Sequence, residues 1–169
     1  KQLVQLYLSI LEPSFENQNE WKNAIHELKS WDFHSTSDSR GAFLFYRLNQ
    51  EVLKQLLTQL DPEDQKIFAG LPNAWIFLKR NLNDPHSLWW SGHYQEKIQE
   101  AFKLSAQKVG TWGSVHQLEF IHPIGRKWPL NYLFNLGPIQ MDGAYNEINN
   151  MKYANMLDDF KITAGPSTR

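Results

Sequence analysis

The sequence contains no cysteine. That excludes disulfides, thiolate zinc sites and a cysteine nucleophile, and it leaves the compartment open. No apolar run approaches the roughly 20 residues that cross a bilayer, so no membrane partner is expected. The opening Lys1-Gln-Leu-Val lacks the apolar stretch of a signal peptide. Positive charge is nowhere concentrated: no more than two Lys or Arg adjoin, and 17 basic side chains balance 18 acidic ones. Without a basic face to attract a polyanion, nucleic acid is not expected as a partner. There is no Gly-x-Ser-x-Gly elbow and no His-Glu-x-x-His. Asp158-Asp159 with Glu147 lacks the alternating ligands of a calcium loop.

Aromatic side chains are plentiful. Seven Trp, six Tyr and ten Phe among 169 residues suffice for a sizeable core or an exposed contact surface. The length fits one domain, since a domain typically holds roughly 100–150 residues. The chain starts without Met and is expected to be a piece of something longer.

Residues 1–109 read as mainly helical. Leu3 to Leu11 is apolar nearly all round, a buried helix or a strand, and Pro13 is expected to close it. A helix is expected to open at Ser14, with Trp21, Ala24, Ile25 and Leu28 on one stripe. After a polar loop from Trp31, Ser37 to Ser39 offer N-caps for a long helix over Ala42 to Leu60. In that helix Phe45, Leu48, Val52, Leu53 and Leu56 face inward, and Gln50, Lys54 and Gln55 face water. Asp61-Pro62-Glu63 supplies a cap, a first-position proline and an early acid for the next helix. Ala74 to Asn81 is helical again. A loop carrying Trp89-Trp90 then leads into a helix that buries Ile98, Ala101, Phe102, Ser105 and Val109 and stops at Gly110.

Residues 110–169 read as mainly strands. Val115, Gln117, Glu119 and Ile121 would share one face, and His116, Leu118, Phe120 and His122 the other. Tyr132 to Leu136 is a short apolar stretch and Asp142-Gly143 a turn. Tyr145 to Asn150 reads as a strand and Phe160 to Arg169 as an extended end. The fold class expected is α+β, a helical part followed by antiparallel strands.

Candidate chemistry is sparse. His116 and His122 flank Glu119, which suggests a metal hydrolase, but a straight strand would hold the two histidines about 20 Å apart. Hydrogen bonding from a partly buried face is the simpler role. Asp32 and Asp38 near His34 suggest acid/base work, yet a polar loop explains them with less. Trp89, Trp90, Trp112 and Trp128 could form an aromatic platform for a carbohydrate or other flat ligand. The plainer alternative is a loop pinned to the core by Trp89 and Trp90.

The order of several landmarks resembles the C-terminal part of the penicillin acylase (penicillin amidase) family of N-terminal-nucleophile hydrolases. They are Trp31-Asp32 with Asp38-Ser39, then Leu88-Trp89-Trp90, then Trp112-Gly-Ser-Val-His116 with His122-Pro123. Gly143-Ala-Tyr-Asn-Glu-Ile-Asn149 and Gly165-Pro-Ser-Thr-Arg169 complete the set, which covers about Trp31 to Arg169. The resemblance implies a fragment of an αββα sandwich from a self-cleaving precursor, exported to the periplasm or secreted. It implies a Ser nucleophile at the start of the large chain, activated by its own α-amino group, and an Asn in the oxyanion site. The implied substrates are acylated amines such as β-lactams or acyl-homoserine lactones. This chain begins at Lys1, so the nucleophile, the Asn and the family's calcium site are expected in sequence outside it. No catalytic, cofactor-binding or metal residue transfers to a numbered position. The partners expected are the remaining segments of the parent acylase and a small acyl-amide substrate. A segment of this kind would bare a sheet edge and apolar surface.

Overall fold

The computed structural model describes residues 1–70, 73–145, 155–158 and 160–162. Among them it shows an α+β fold, helices first and then a small antiparallel sheet. The opening apolar segment is helix α1, Gln2–Phe15, in which Val4, Tyr7, Leu11 and Phe15 line one buried stripe. Contrary to expectation, Pro13 lies inside this helix. Phe15 packs against Phe102 at 5.4 Å and Trp21 at 6.1 Å, which holds the last turn in place despite the missing proline N–H. Ser14 therefore ends one helix rather than opening the next. Its hydroxyl donates to the Ile10 carbonyl at 2.7 Å, and α2 begins only at Asn19, running to Ser30.

Helix α3, Arg40–Leu56, is the centre of the bundle. Ser39 caps it, its hydroxyl accepting from Ala42 N at 3.1 Å. The expected apolar stripe is buried, but so is part of the expected wet side: Gln50 is 2% exposed. Its Nε2 donates to Met156 O at 3.0 Å and Asp158 O at 2.8 Å, so a distant segment covers what the periodicity assigns to solvent. A 3₁₀ turn, Leu57–Gln59, prolongs the helix.

Asp61 caps α4, Pro62–Phe68, as its sequence indicates, accepting from Glu63 N and Asp64 N at 3.0 Å each. Next come α5, Asn73–Leu82, and α6, Tyr94–Ala106. Helix α6 buries Ile98, Ala101, Phe102 and Ser105 against α3. It stops short of Val109, which is 92% exposed instead of buried. Arg40 Nη1 grips the Gly110 carbonyl at 2.8 Å and turns the chain toward α3 before the helical pattern is used up.

Beyond Gly110 the strand expected from Val115 onward is shorter and is preceded by a turn of helix. Trp112–Val115 is helix α7, because Trp112 N and Gly113 N are taken up by Ser39 O at 3.0 Å and Ser37 O at 2.7 Å. Strand β1, Gln117–Phe120, follows, then a 3₁₀ turn at Ile124–Arg126, α8 at Asn131–Phe134, and strand β2 at Leu136–Gln140. The strands pair antiparallel as Gln117↔Gln140, Leu118↔Ile139 and Phe120↔Leu136, and Ile162 forms a parallel bridge to Leu118. Residues 146–150 of the expected strand and 163–169 of the expected end lie outside the described residues.

Candidate functional site

Ring and polar side chains converge where α3, α7 and the sheet meet, around Trp112 and His116. Local bonding explains how the chain reaches it. Gly113 approaches so closely that an added Cβ would stand 2.7 Å from Ser37 Cβ. Ser37 N donates to Asp142 Oδ1 at 2.6 Å, and Gly143 N to Ser35 O at 2.7 Å. The polar loop before α3 thus stitches both ends of the sheet region together.

Trp112 is fully buried between two rings. Tyr46 stacks on one side at 4.4 Å and His116 on the other at 4.5 Å. The indole N–H donates to Gly143 O at 2.8 Å. His116 is likewise fully buried, with Nδ1 2.8 Å from Phe160 O. A carbonyl only accepts, so Nδ1 carries the proton and donates it. Burial pushes the imidazole below its ordinary value, and the Phe160 carbonyl offsets that only in part. An enclosed, neutral imidazole with its proton committed to a backbone carbonyl can hold two segments together. It has no solvent-facing atom with which to take a proton from a substrate.

His122 is exposed, and its Nδ1 accepts from Ile124 N at 3.2 Å. Glu119 is exposed as well. Among the described residues no group of three or more His, Asp or Glu is placed to hold a metal ion. Both histidines do make hydrogen bonds, but neither from a partly buried face: His116 is fully enclosed and His122 is exposed. Asp32 serves a turn, accepting from His34 N at 3.0 Å. Of Asp38-Ser39, Ser39 works as a cap for α3.

The aromatic platform is not assembled. Trp90 is fully buried, its Nε1 donating to Asn81 O at 3.0 Å, and Trp112 is enclosed too, whereas Trp128 is 80% exposed. Trp89 packs edge-on against Phe77 at 4.9 Å. The double tryptophan pins its loop to the core. Sequence reasoning did not find the clefts. One of about 620 Å³ is walled by Phe45, Trp75 and Ile76 with Lys1 and Lys79, and among the described residues its lining includes no carboxylate, histidine or serine. Another of about 440 Å³ holds Arg80, Asp84, His86 and Ser87 beside Trp89. There Ser87 donates to Asn81 Oδ1 and caps the following turn, and Asp84 accepts from His86 N at 3.1 Å.

With these local roles assigned, comparison with known proteins supplies what the geometry does not. The penicillin amidase family model matches residues 1–169, the whole length. The chain belongs to the penicillin amidase family. No curated protein matches it. The family match takes in residues 1–30, which the landmark resemblance does not reach. Of those landmarks, Trp31-Asp32, Asp38-Ser39, Leu88-Trp89-Trp90, Trp112 to His116 and His122-Pro123 fall within the described residues, where Ser39 is a helix cap and Trp90 and Trp112 belong to the core. Gly143 to Tyr145 is described, but 146–149 and Gly165 to Arg169 are not. Membership places the protein among acylases, hydrolases that act on amides.

Proposed function

We propose that this chain is a supporting segment of a penicillin-amidase-type acylase whose reaction centre lies on other segments of the same precursor. The observation that carries the reading is the enclosure of His116. That imidazole is closed to solvent and its Nδ1 proton goes to the Phe160 carbonyl. In the parent enzyme an N-terminal Ser, generated by self-cleavage, attacks the amide carbonyl with its own α-amino group as base, and the proton taken from its hydroxyl passes to the amine nitrogen as the C–N bond breaks and the amine leaves. The acyl-enzyme is then hydrolysed. The helices of this segment form part of an outer layer of an αββα sandwich and its strands part of the inner sheets. Acylated amines such as β-lactams or acyl-homoserine lactones are the substrate class, a calcium ion belongs to sequence outside this segment, and the periplasm or exterior is the location.

Incubation with a chromogenic acyl-anilide tests this. The 169-residue chain alone is expected to leave the anilide intact, while the parent precursor, once processed, hydrolyses it. Turnover by the chain alone at an enzyme-like rate overturns the proposal, as does an inactive processed parent.

A further inference from the structure

Asp142-Gly143 is the one Asp-Gly step in the sequence, and there is no Asn-Gly. Such a step is chemically labile. The glycine nitrogen has no Cβ beside it to block its approach, and it can attack the aspartyl Cγ. An N–Cγ bond forms, and one carboxyl oxygen leaves as water with the amide proton and the carboxyl proton. Water then opens the five-membered imide at one of its two carbonyls. Opening at Cγ restores Asp. Opening at the main-chain carbon leaves the backbone running through Cβ and Cγ, one methylene longer. Water lost in the first step is regained in the second, and no other reactant is consumed.

The fold requires glycine at this point. Gly143 has a φ of +87°, a left-handed conformation that a residue with a Cβ rarely adopts. Both reacting groups are held by the loop before α3. The attacking N–H donates to Ser35 O at 2.7 Å, and the carboxyl accepts from Ser37 N through Oδ1 at 2.6 Å. Gly143 O accepts from the Trp112 indole at 2.8 Å, so the chain is anchored beyond the reacting atoms as well. Gly143 is buried, whereas Asp142 is exposed and open to water. Attack requires the nitrogen to leave Ser35 and the carboxyl to turn away from Ser37.

We infer that Asp142-Gly143 is a latent site of spontaneous β-aspartyl modification, silenced by residues 35–37 and opened whenever that loop comes away. The change is one-way for the fold. With an extra methylene at 142, the chain no longer brings Gly143 N to Ser35 O and Gly143 O to the Trp112 indole together. The stacked rings of Tyr46, Trp112 and His116 then lose the bond that fixes their central member.

Ageing the 169-residue chain at neutral pH, folded and in urea, tests this. Tryptic peptide 128–152 contains Asp142 as its single Asp, and a β-aspartyl linkage there is read by fragmentation at unchanged mass. At the usual net strength of a hydrogen bond, each loop contact slows attack about fivefold and the two together about 25-fold. The unfolded chain is expected to isomerise at Asp142 faster by at least that combined factor. Equal rates, or no β-aspartyl linkage in the unfolded chain, overturn the inference. S37P removes one donor and is expected to raise the folded rate about fivefold with the near-ultraviolet tryptophan bands intact. An unchanged rate in folded S37P refutes the silencing by that bond. Should S37P fail to fold, sub-denaturing urea on the unaltered chain decides. Isomerisation that quickens while the tryptophan bands still stand marks release of the loop alone and supports the inference. Isomerisation that waits for the bands to collapse assigns the protection to the whole fold and overturns it. Finally, the β-aspartyl fraction, separated and returned to native buffer, is expected not to recover those bands, and full recovery refutes the consequence drawn for the ring stack.

Discussion

The imidazole of His116 lies on the indole of Trp112, their centroids 4.5 Å apart and their planes 18° from parallel. With Tyr46 on the other side of the indole, three rings from α3, α7 and the residue between α7 and β1 form one stack. Each of the two outer partners is also tied by a polar contact, Tyr46 to Ser35 at 3.4 Å and His116 to the Phe160 carbonyl at 2.8 Å. This is the physical joint between the helical part and the sheet, and its titration is predictable.

Burial holds the His116 imidazole below its ordinary value, so the unfolded chain binds that proton more readily. The stability this group contributes is full above the unfolded value of about 6.5. It declines as pH falls below that value and levels off beneath the folded value. The urea midpoint followed by tryptophan fluorescence is expected to drop as pH falls below about 6.5. H116Q, neutral throughout, flattens that slope while lowering the midpoint at neutral pH through lost packing. An unchanged slope in H116Q refutes the assignment.

A second acid-sensitive group acts in a lower window. Burial of Glu51 alone would raise its pKa, but hydrogen bonds from Lys54 at 3.0 Å and Lys108 at 3.1 Å outweigh it, and the net shift is downward. Its stabilisation is present above the ordinary glutamate value of about 4.3 and is lost as pH falls through the folded one. Because both lysines are partly exposed and screened, E51Q is expected to cost only about 1 kcal/mol at neutral pH. The same substitution removes the titration below the His116 window, which a pH series of urea midpoints detects.

Much of the helical part is legible because burial there follows the helical repeat. Phe45, Leu48, Val52, Leu53 and Leu56 stand at three- and four-residue spacing and are all buried. The caps at Ser39 and Asp61 are equally legible, since a cap is a local bond. What escapes is set by distant chain. Gln50 is covered by residues 156–158 and the end of α6 is set by Arg40. Helix α7 is one turn, Trp112–Val115, too short to show a period. The joint itself is half legible: the sequence marks Trp112 and His116 as notable, but their stacking depends on Tyr46, and the lock on His116 comes from Phe160, 44 residues away. No local pattern encodes such a contact.

Ser39 distinguishes a cap from a catalyst. Its hydroxyl satisfies Ala42 N at the start of α3. S39A is expected to destabilise the fold by about 1 kcal/mol, a typical cap loss, and S39D to restore most of it. In an acylase containing this chain, acyl-anilide kcat should be unchanged by either. A large fall in kcat with stability intact would move Ser39 into the chemistry.

Gly113 tests the closeness of the joint. An added Cβ would meet Ser37 Cβ at 2.7 Å and Ser37 O at 2.9 Å, a backbone contact that cannot swing aside. The N–H of Gly113 donates to that same carbonyl at 2.7 Å, so relieving the clash stretches the bond that starts α7. G113A is expected to destabilise by about 1–3 kcal/mol, the range for overpacking a tight site. Gly92 is the useful contrast, because its φ of +79° is unfavourable for alanine but nothing lies within 4 Å of the added Cβ. G92A carries only the left-handed backbone penalty of about 1–2 kcal/mol and leaves the aromatic stack undisturbed. Near-ultraviolet circular dichroism separates the two, since G113A alone should change the tryptophan bands as Trp112 shifts against Tyr46 and His116. Equal spectra for both variants would mean that α7 can move away from the Ser37 loop without disturbing the rings, and that the joint is looser than its distances indicate.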